Sequence, residues 1–193
     1  MFAQPGFAEA EDRARPDDRI FFAALPDAGA RAEMARRVSR ICGDRMTANG
    51  FDTARLHVSL CFLATGADMS PQIEQRARHA ASTVRMRPFT AAFNCIARFS
   101  KGDGKRPLVL LGDDGVAGLT ALQRSLGLAM RHAGLGHREQ PGYTPHVTLL
   151  YGTFPIDEQT IEPVRWTVRD FVLLQSHRGE GRHSHLGRWP LRA

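Results

Sequence analysis

Two histidines in this chain have types and spacing that could do chemistry, because each opens a tetrapeptide of nearly the same composition. The first tetrapeptide, His57–Leu60, reads HVSL, and the second, His146–Leu149, reads HVTL. Each places a hydroxyl residue two positions after its histidine. Imidazoles exchange protons near neutral pH, and hydroxyl groups donate hydrogen bonds to anions such as phosphate. The repeat therefore indicates one imidazole that acts as an acid, one that acts as a base, and two hydroxyl groups that donate hydrogen bonds to a phosphate.

A strand must position these groups, because side chains alternate between its two faces with period two. His57 then shares a face with Ser59, and His146 shares a face with Thr148. The intervening apolar residues are expected to pack behind them: Val58, Leu60, Phe62, Val147 and Leu149. Two buried core histidines would be the alternative interpretation, but a second copy of the tetrapeptide favours a functional site.

The surrounding pattern predicts a repeated order of strands and helices. We predict strands over Arg19–Leu25, His57–Leu63, Phe89–Phe99, Pro107–Leu111, His146–Tyr151, Val164–Gln175 and His185–Leu191, and helices over Ser70–Val84 and Val116–Ala133. Another helix is expected after Pro26-Asp27, with its end near Gly43 or Gly50. Helix signals include Ser70-Pro71 at one start. Each half contains a strand, a helix and a histidine strand, which suggests two α+β lobes that share a cleft.

Composition narrows the class of protein. The chain has 193 residues, 42% of them hydrophobic, which suits one soluble domain. We assign 1–18 to a flexible extension and 19–193 to a single domain. Neither a run of about 20 apolar residues nor a signal-peptide core is present, so we expect a cytoplasmic monomer without membrane contacts. The net charge of +6 agrees with a phosphate-bearing substrate without requiring one.

The three cysteines, Cys42, Cys61 and Cys95, are odd in number and widely spaced, which argues against a disulfide framework or a zinc ribbon. Cys61 either borders the site, if the alternation continues past Ser59, or is a small buried residue.

Hydrolysis of a cyclic phosphodiester would use all four groups. One imidazole removes a proton from the attacking water and the other delivers a proton to the departing sugar oxygen. The Ser59 and Thr148 hydroxyls would stabilise charge that develops on the phosphate oxygens. This chemistry requires no metal ion and no cofactor.

The two tetrapeptides resemble those of the 2H phosphoesterase superfamily, and the flanking text is similar to its bacterial LigT-like RNA 2',3'-cyclic phosphodiesterases, historically called 2'-5' RNA ligases. The similar segments are Arg19–Pro26, Leu56–Leu63, Pro145–Leu149 and Phe171–Ser176. The resemblance extends roughly from Arg19 to Leu191, almost the whole chain. Two segments depart from the family text: 51–55 lacks its Pro-Glu-Asn, and 179–185 lacks its Gly-x-x-Tyr.

The resemblance implies a bilobal α+β fold with pseudo-two-fold symmetry, in which antiparallel sheets line a central cleft and the helices lie outside. It implies that His57 is the proton donor, that His146 is the acceptor that activates water, and that Ser59 and Thr148 bind phosphate. The implied substrates are RNA ends or nucleotides with a 2',3'-cyclic phosphate, opened to a 2'-phosphate, with reverse 2'-5' ligation as a side activity.

Several assignments stay open at this point. Phe22 either stacks on a base or belongs to the core, and Tyr143 either lines the cleft or does not. His183 and His185, with His177 nearby, form either a metal site or an exposed hairpin. The basic segment Ser100–Arg106 and Arg98 either follow an RNA backbone or form a solvated turn.

Two other functions remain possible from the sequence. One is a 2H enzyme that acts on a small cyclic-phosphate or 2'-5' linked nucleotide. The other is a non-catalytic RNA-binding member of the fold, which would not need both imidazoles.

Overall fold

The computed structural model describes residues 14–43, 51–99, 107–136, 142–151 and 157–193. Within them the strands are β1 (Arg19–Ala24), β2 (Val58–Thr65), β3 (Phe89–Arg98), β4 (Leu108–Leu111), β5 (His146–Leu150), β6 (Gln159–Val168), β7 (Asp170–His177) and β8 (Arg182–Pro190). The α-helices in the same ranges are α1 (Ala28–Cys42), α2 (Pro71–Thr83) and α3 (Ala117–His132). The segments 1–13 and 100–106, which include the predicted basic turn, lie outside the described residues.

The helices begin and pack as their sequences predict. Ser70 caps α2 by accepting a hydrogen bond from the Ile73 amide at 3.2 Å, and Pro71 occupies the first turn. Asp27 caps α1 in the same way, accepting from the Ala30 amide at 2.9 Å. The apolar stripe of α3 is fully buried, and it consists of Leu119, Leu122, Leu126 and Met130.

All strands pair antiparallel in one sheet with the order β6-β3-β4-β5-β2-β1-β7-β8. Its two four-stranded halves meet where β2 lies beside β5, and there the register is a single residue pair, Val58 with Val147. Within each half a histidine strand pairs with the strand that precedes its helix. The predicted α+β fold with two related halves is confirmed.

The sheet must curve strongly, because β6 and β7 are joined by the single residue Arg169 although they stand six positions apart in the strand order. Six strand spacings in a flat sheet would separate them by about 29 Å, whereas two peptide steps span at most about 7 Å. The prediction of one continuous strand over Val164–Gln175 is therefore wrong. No Gly or Pro marks the break, so the run of strand-forming residues concealed it.

A β-bulge in β2 corrects two further expectations. Ala23 pairs with Ser59 and Phe22 pairs with Cys61, so Leu60 is the extra residue. The bulge reverses the alternation beyond it. Cys61 consequently faces the core, where it is 3% exposed and its thiol contacts the Gln123 carbonyl of α3 at 3.8 Å. Phe62, expected in the core, turns to the opposite face and is 48% exposed.

The predicted extension through Asp18 is too long, because residues 14–18 pack against the domain. Asp18 is fully buried, and its carboxylate accepts hydrogen bonds from the Gln175 side chain at 2.8 Å and from the Arg178 amide at 3.1 Å. A Cβ at Gly66 would lie 1.8 Å from the Arg15 carbonyl oxygen, so this close approach requires glycine.

The apolar core fills the space between the curved sheet and the helices. Phe22 lies at its centre with no exposed surface, its ring 6.0 Å from that of Phe171 and 5.7 Å from that of Trp189. In the described part of the chain, we find no helix with the length and apolar character needed to cross a membrane.

Replacing Phe22 by alanine should lower the free energy of unfolding by about 3–5 kcal/mol, because the truncation leaves a cavity in the core. Phe62→Ala is the matched control, with an expected loss below about 1 kcal/mol since Phe62 is half-exposed. Chemical denaturation measures both values. Equal losses of unfolding free energy in the two variants would contradict the reversed alternation of side chains beyond the β2 bulge.

Candidate active site

The seam between β2 and β5 brings the two tetrapeptides together. Because the strands are antiparallel and Val58 pairs with Val147, extending the register by one residue sets His57 beside Thr148 and Ser59 beside His146. All four residues lie at the surface of the sheet opposite the main core, and each side chain is half-buried or exposed. Two fully buried core histidines are therefore excluded.

Both imidazoles are held in the same orientation by their own backbone. His57 Nδ1 lies 2.7 Å from the Arg55 carbonyl oxygen, and His146 Nδ1 lies 2.8 Å from the Thr144 carbonyl oxygen. A carbonyl oxygen only accepts, so Nδ1 carries the hydrogen in each ring. Nε2 is consequently the atom of each histidine that exchanges a proton with a substrate.

Each histidine ring also contacts a phenylalanine of its own half. The centroids of His57 and Phe21 are 5.1 Å apart, and those of His146 and Phe99 are 4.7 Å apart. Phe21 precedes Phe22 on β1 and therefore faces the other side of the sheet. The assignment of Phe22 to base stacking is wrong for this reason, since its ring is enclosed by the core.

The hydroxyl groups of Ser59 and Thr148 make no hydrogen bond within the described residues. Ser59 is exposed and Thr148 is half-buried, so both are accessible to a ligand. The Ser59 carbonyl oxygen accepts a hydrogen bond from the Tyr143 hydroxyl at 2.8 Å. Tyr143 thus lies at the seam, as one of the two open interpretations predicted, and it ties the loop before β5 to β2. Burial raises the pKa of this phenol.

Sequence reasoning missed Arg55. Its Nε is buried without a hydrogen-bond partner, and its charge lowers the pKa values of both His57 and His183. A Cβ at Gly181 would lie 3.6 Å from its Nη1, which places the guanidinium between the His57 segment and the β7–β8 hairpin. A half-buried guanidinium whose Nε has no hydrogen-bond partner is suited to bind an anion. In the sequence, only the position of Arg55 two residues before His57 could have identified it as a functional residue.

His183 also belongs to this surface, although neither an exposed hairpin nor a metal site describes its role. Its ring packs edge-on against that of His57, with centroids 5.1 Å apart, and against Phe21 at 6.0 Å. Burial, and then the charge of His57, lower the pKa of His183 to about 4. This shift favours the neutral imidazole of His183 beside His57.

His177 has a structural position instead. It is buried, and its Nε2 lies 2.7 Å from the Ser184 hydroxyl while its Nδ1 lies 3.4 Å from the Asp18 carboxylate. No group of three or more His, Cys, Asp or Glu side chains in the described ranges is arranged to hold a metal ion.

The electrostatics of the site favour the neutral form of His57. Burial lowers the pKa of His57 most strongly, and the charges of His146 and Arg55 lower it further, against the opposing effect of the Arg55 carbonyl. The influence of His146 also means that the two imidazoles are close enough to interact. A bound phosphate anion between them would raise the pKa of His57 again.

A curved antiparallel sheet with two histidine strands at its centre is the arrangement expected of a 2H phosphoesterase. The family comparison agrees with this class. The family model of the 2'-5' RNA ligase superfamily matches residues 25–180, so the chain belongs to that superfamily of 2H phosphoesterases. No curated protein matches the chain.

Solved structures share the fold. Escherichia coli LigT is 23% identical over 91% of this chain and 98% of its own, with a TM-score of 0.73, in its apo form. The same protein complexed with 3'-AMP gives a TM-score of 0.75 at 23% identity, with 91% and 99% of the two chains covered. The protein TT0787 of Thermus thermophilus gives 0.72 at 18% identity, with 91% and 98% covered.

We expect histidine NMR titration to give His57 a pKa below 6.5 in the free protein, because burial, the coupling to His146 and the Arg55 charge disfavour its protonated form. Arg55→Met should raise this pKa, and inorganic phosphate should raise it in the parent protein. His57 is then protonated only below the lowered pKa without ligand, so proton donation by free enzyme declines as pH rises through that value. A pKa at or above 6.5, unmoved by Arg55→Met, would contradict this assignment.

Proposed function

We propose that this protein hydrolyses 2',3'-cyclic phosphates at RNA ends or on nucleotides, leaving a 2'-phosphate, by acid–base catalysis with two histidines. The observation that carries the proposal is the matched geometry of the two halves. Each supplies an imidazole whose Nδ1 is held by a backbone carbonyl and a hydroxyl residue beside the other half's imidazole. Such a pair can act on one phosphorus atom from both sides.

In the proposed reaction His146 Nε2 accepts a proton from water, and the water oxygen attacks phosphorus. The bond from phosphorus to the 3'-oxygen breaks, and His57 Nε2 donates a proton to that oxygen. The Ser59 and Thr148 hydroxyls donate hydrogen bonds to the non-bridging oxygens as negative charge develops on them. After one turnover His146 is protonated and His57 is neutral, so a proton exchange with solvent restores the starting state.

The lowered pKa of His57 fits the role of a proton donor that becomes protonated when the substrate phosphate binds. A bound phosphate anion would favour the imidazolium, whereas burial and the Arg55 charge favour the neutral imidazole. Arg55 supports the same proposal, because its unpartnered guanidinium offers a cation to that anion.

The comparisons support a nucleotide-type ligand. E. coli LigT has been crystallised with 3'-AMP, with ATP and with NADP+. Membership of the 2'-5' RNA ligase superfamily also supports the reverse reaction, in which a 5'-hydroxyl replaces water and a 2'-5' linkage forms.

Substituting either histidine by alanine should lower kcat for 2',3'-cyclic AMP by about 10²-fold or more, since each supplies one proton transfer. The assay compares purified parent, His57→Ala and His146→Ala, with circular dichroism as the check on folding. EDTA should leave the parent rate unchanged, because the imidazoles perform both transfers. Near-parent turnover in a histidine variant would reject its role, and loss of activity in EDTA would reject the metal-independent mechanism.

Arg55→Met should raise KM for the same substrate by about tenfold or more, which corresponds to a lost charge-assisted hydrogen bond of about 1.5–3 kcal/mol. Arg55→Lys should restore little of the lost affinity for substrate, because lysine lacks the planar guanidinium. The free energy of unfolding should stay constant or rise, since Arg55 Nε has no partner in the folded protein.

Arg124→Met, which removes an exposed arginine on α3, is the matched control and should leave KM unaltered. A parent-like KM in Arg55→Met, or a loss of stability without a change in KM, would exclude Arg55 from phosphate binding.

A further inference from the structure

Three aromatic rings from separate segments of the chain meet beside the first tetrapeptide. The centroid of the His57 ring lies 5.1 Å from that of Phe21 and 5.1 Å from that of His183, and the Phe21 and His183 centroids lie 6.0 Å apart. Phe21 belongs to β1 and His183 to β8, while His57 immediately precedes β2. The three rings therefore form a compact triangle in which His57 is contacted on two adjacent sides.

These contacts restrict the His57 ring in a way that its own hydrogen bond does not. The bond from Nδ1 to the Arg55 carbonyl oxygen, at 2.7 Å, orients one atom of the ring, but the ring plane can still swing about it. His183 stands at 75° to that plane, an edge-on arrangement that aromatic pairs favour, and Phe21 lies against it at 41°. With both neighbours in place, Nε2 of His57 keeps one direction.

A chain of polar groups fixes the part of β8 that carries His183. β8 is the last strand in the sheet order, so its position depends on contacts beyond its pairing with β7. The hydroxyl of Ser184, the next residue, lies 2.7 Å from His177 Nε2, and His177 Nδ1 lies 3.4 Å from the buried Asp18 carboxylate. Because these contacts hold Ser184 on one face of the strand, alternation directs His183 to the opposite face.

Helix α2 holds the next part of the same strand. Arg78 donates a hydrogen bond from Nη2 to the Leu186 carbonyl oxygen, and its Nε donates to the Glu74 carboxylate at 2.8 Å. A Cβ at Gly187 would lie 3.2 Å from Arg78 Nη1, so the guanidinium lies close against β8. One contact beside His183 and another three residues beyond it thus restrain the strand.

The charge environment of His183 suits a packing partner better than a proton donor. Burial is the largest cause of its lowered pKa and the charge of His57 is the next, while Arg55, His185 and His177 act in the same direction. The neutral imidazole is therefore favoured, and more strongly once His57 becomes protonated. An uncharged ring can stay packed against the His57 imidazolium without repulsion between like charges.

We propose that His183 is a positioning residue which, together with Phe21, holds the His57 imidazole so that Nε2 points at the oxygen leaving phosphorus. Proton transfer requires the donor to lie within hydrogen-bond reach of that oxygen, so a ring that moves away loses rate rather than substrate affinity. This inference rests on the proposed function, because it requires His57 to be the proton donor.

Steady-state kinetics with 2',3'-cyclic AMP separate positioning from binding. His183→Ala should lower kcat by about tenfold or more and change KM by less than about twofold, because a misplaced catalytic group weakens the transition state. His183→Phe keeps a ring at this place and should restore kcat to within about threefold of the parent. His185→Ala, which alters an exposed histidine two residues along β8, is the matched control and should behave as the parent does.

Histidine NMR of the free protein provides a second measurement that needs no turnover. His183→Ala should expose the His57 ring and raise its pKa toward 6.5, because burial is the main cause of the lowered value. The fraction of the tautomer that carries hydrogen on Nδ1 should fall as the ring gains freedom. His183→Phe should keep the His57 pKa at or below the parent value, and circular dichroism checks the folding of each variant.

A higher KM with parent-like kcat in His183→Ala would make His183 a binding residue and overturn the proposal. Equal impairment in His183→Phe and His183→Ala would also overturn it, since the imidazole nitrogens would then be required. Parent-like kinetics and NMR spectra in His183→Ala would overturn it and leave the proposed reaction intact. If the parent does not hydrolyse 2',3'-cyclic AMP while the NMR changes follow the expected pattern, the proposed reaction fails and the role of His183 in holding the His57 ring stands.

Discussion

The pairing of β2 with β5 at Val58 and Val147 is the interaction on which the site depends. It is the one residue pair that joins the two four-stranded halves in the sheet register of the described residues, and it stands between the two histidines and the two hydroxyl residues. A slip of one strand by one residue would send its histidine and hydroxyl residue to the face opposite those of the other strand. The Tyr143 hydroxyl, bonded to the Ser59 carbonyl, reinforces this seam from the loop before β5.

Around that seam the two halves resemble each other more closely in local structure than in sequence. Each has a histidine bonded through Nδ1 to the carbonyl two residues before it, a phenylalanine against its ring, a leucine bulge and an exposed aromatic residue beyond the bulge. The repetition has limits. Arg55 and His183 lie beside His57, and the charge of Arg55 favours the neutral imidazole on that side.

The sequence predicted the parts of the structure that local patterns determine. The cap at Ser70, the stripe of α3 and the orientation of His57 with Ser59 follow from short-range chemistry. It failed where pairing between distant strands decides the outcome. The bulge at Leu60 depends on how β1 lies against β2, so the faces of Cys61 and Phe62 were reversed. The break at Arg169 depends on the curvature of the whole sheet, and His57 contacts His183 although β1 and β7 stand between their strands in the sheet order.

A crystal structure of the protein with 2'-AMP or inorganic phosphate would test most directly whether the two imidazoles act on one phosphorus centre. The account predicts Nε2 of His57 and Nε2 of His146 within about 3.2 Å of different oxygens of the same phosphate, with the Ser59 and Thr148 hydroxyls on the remaining oxygens. A phosphate held by one histidine alone, or bound away from the β2–β5 seam, would contradict it.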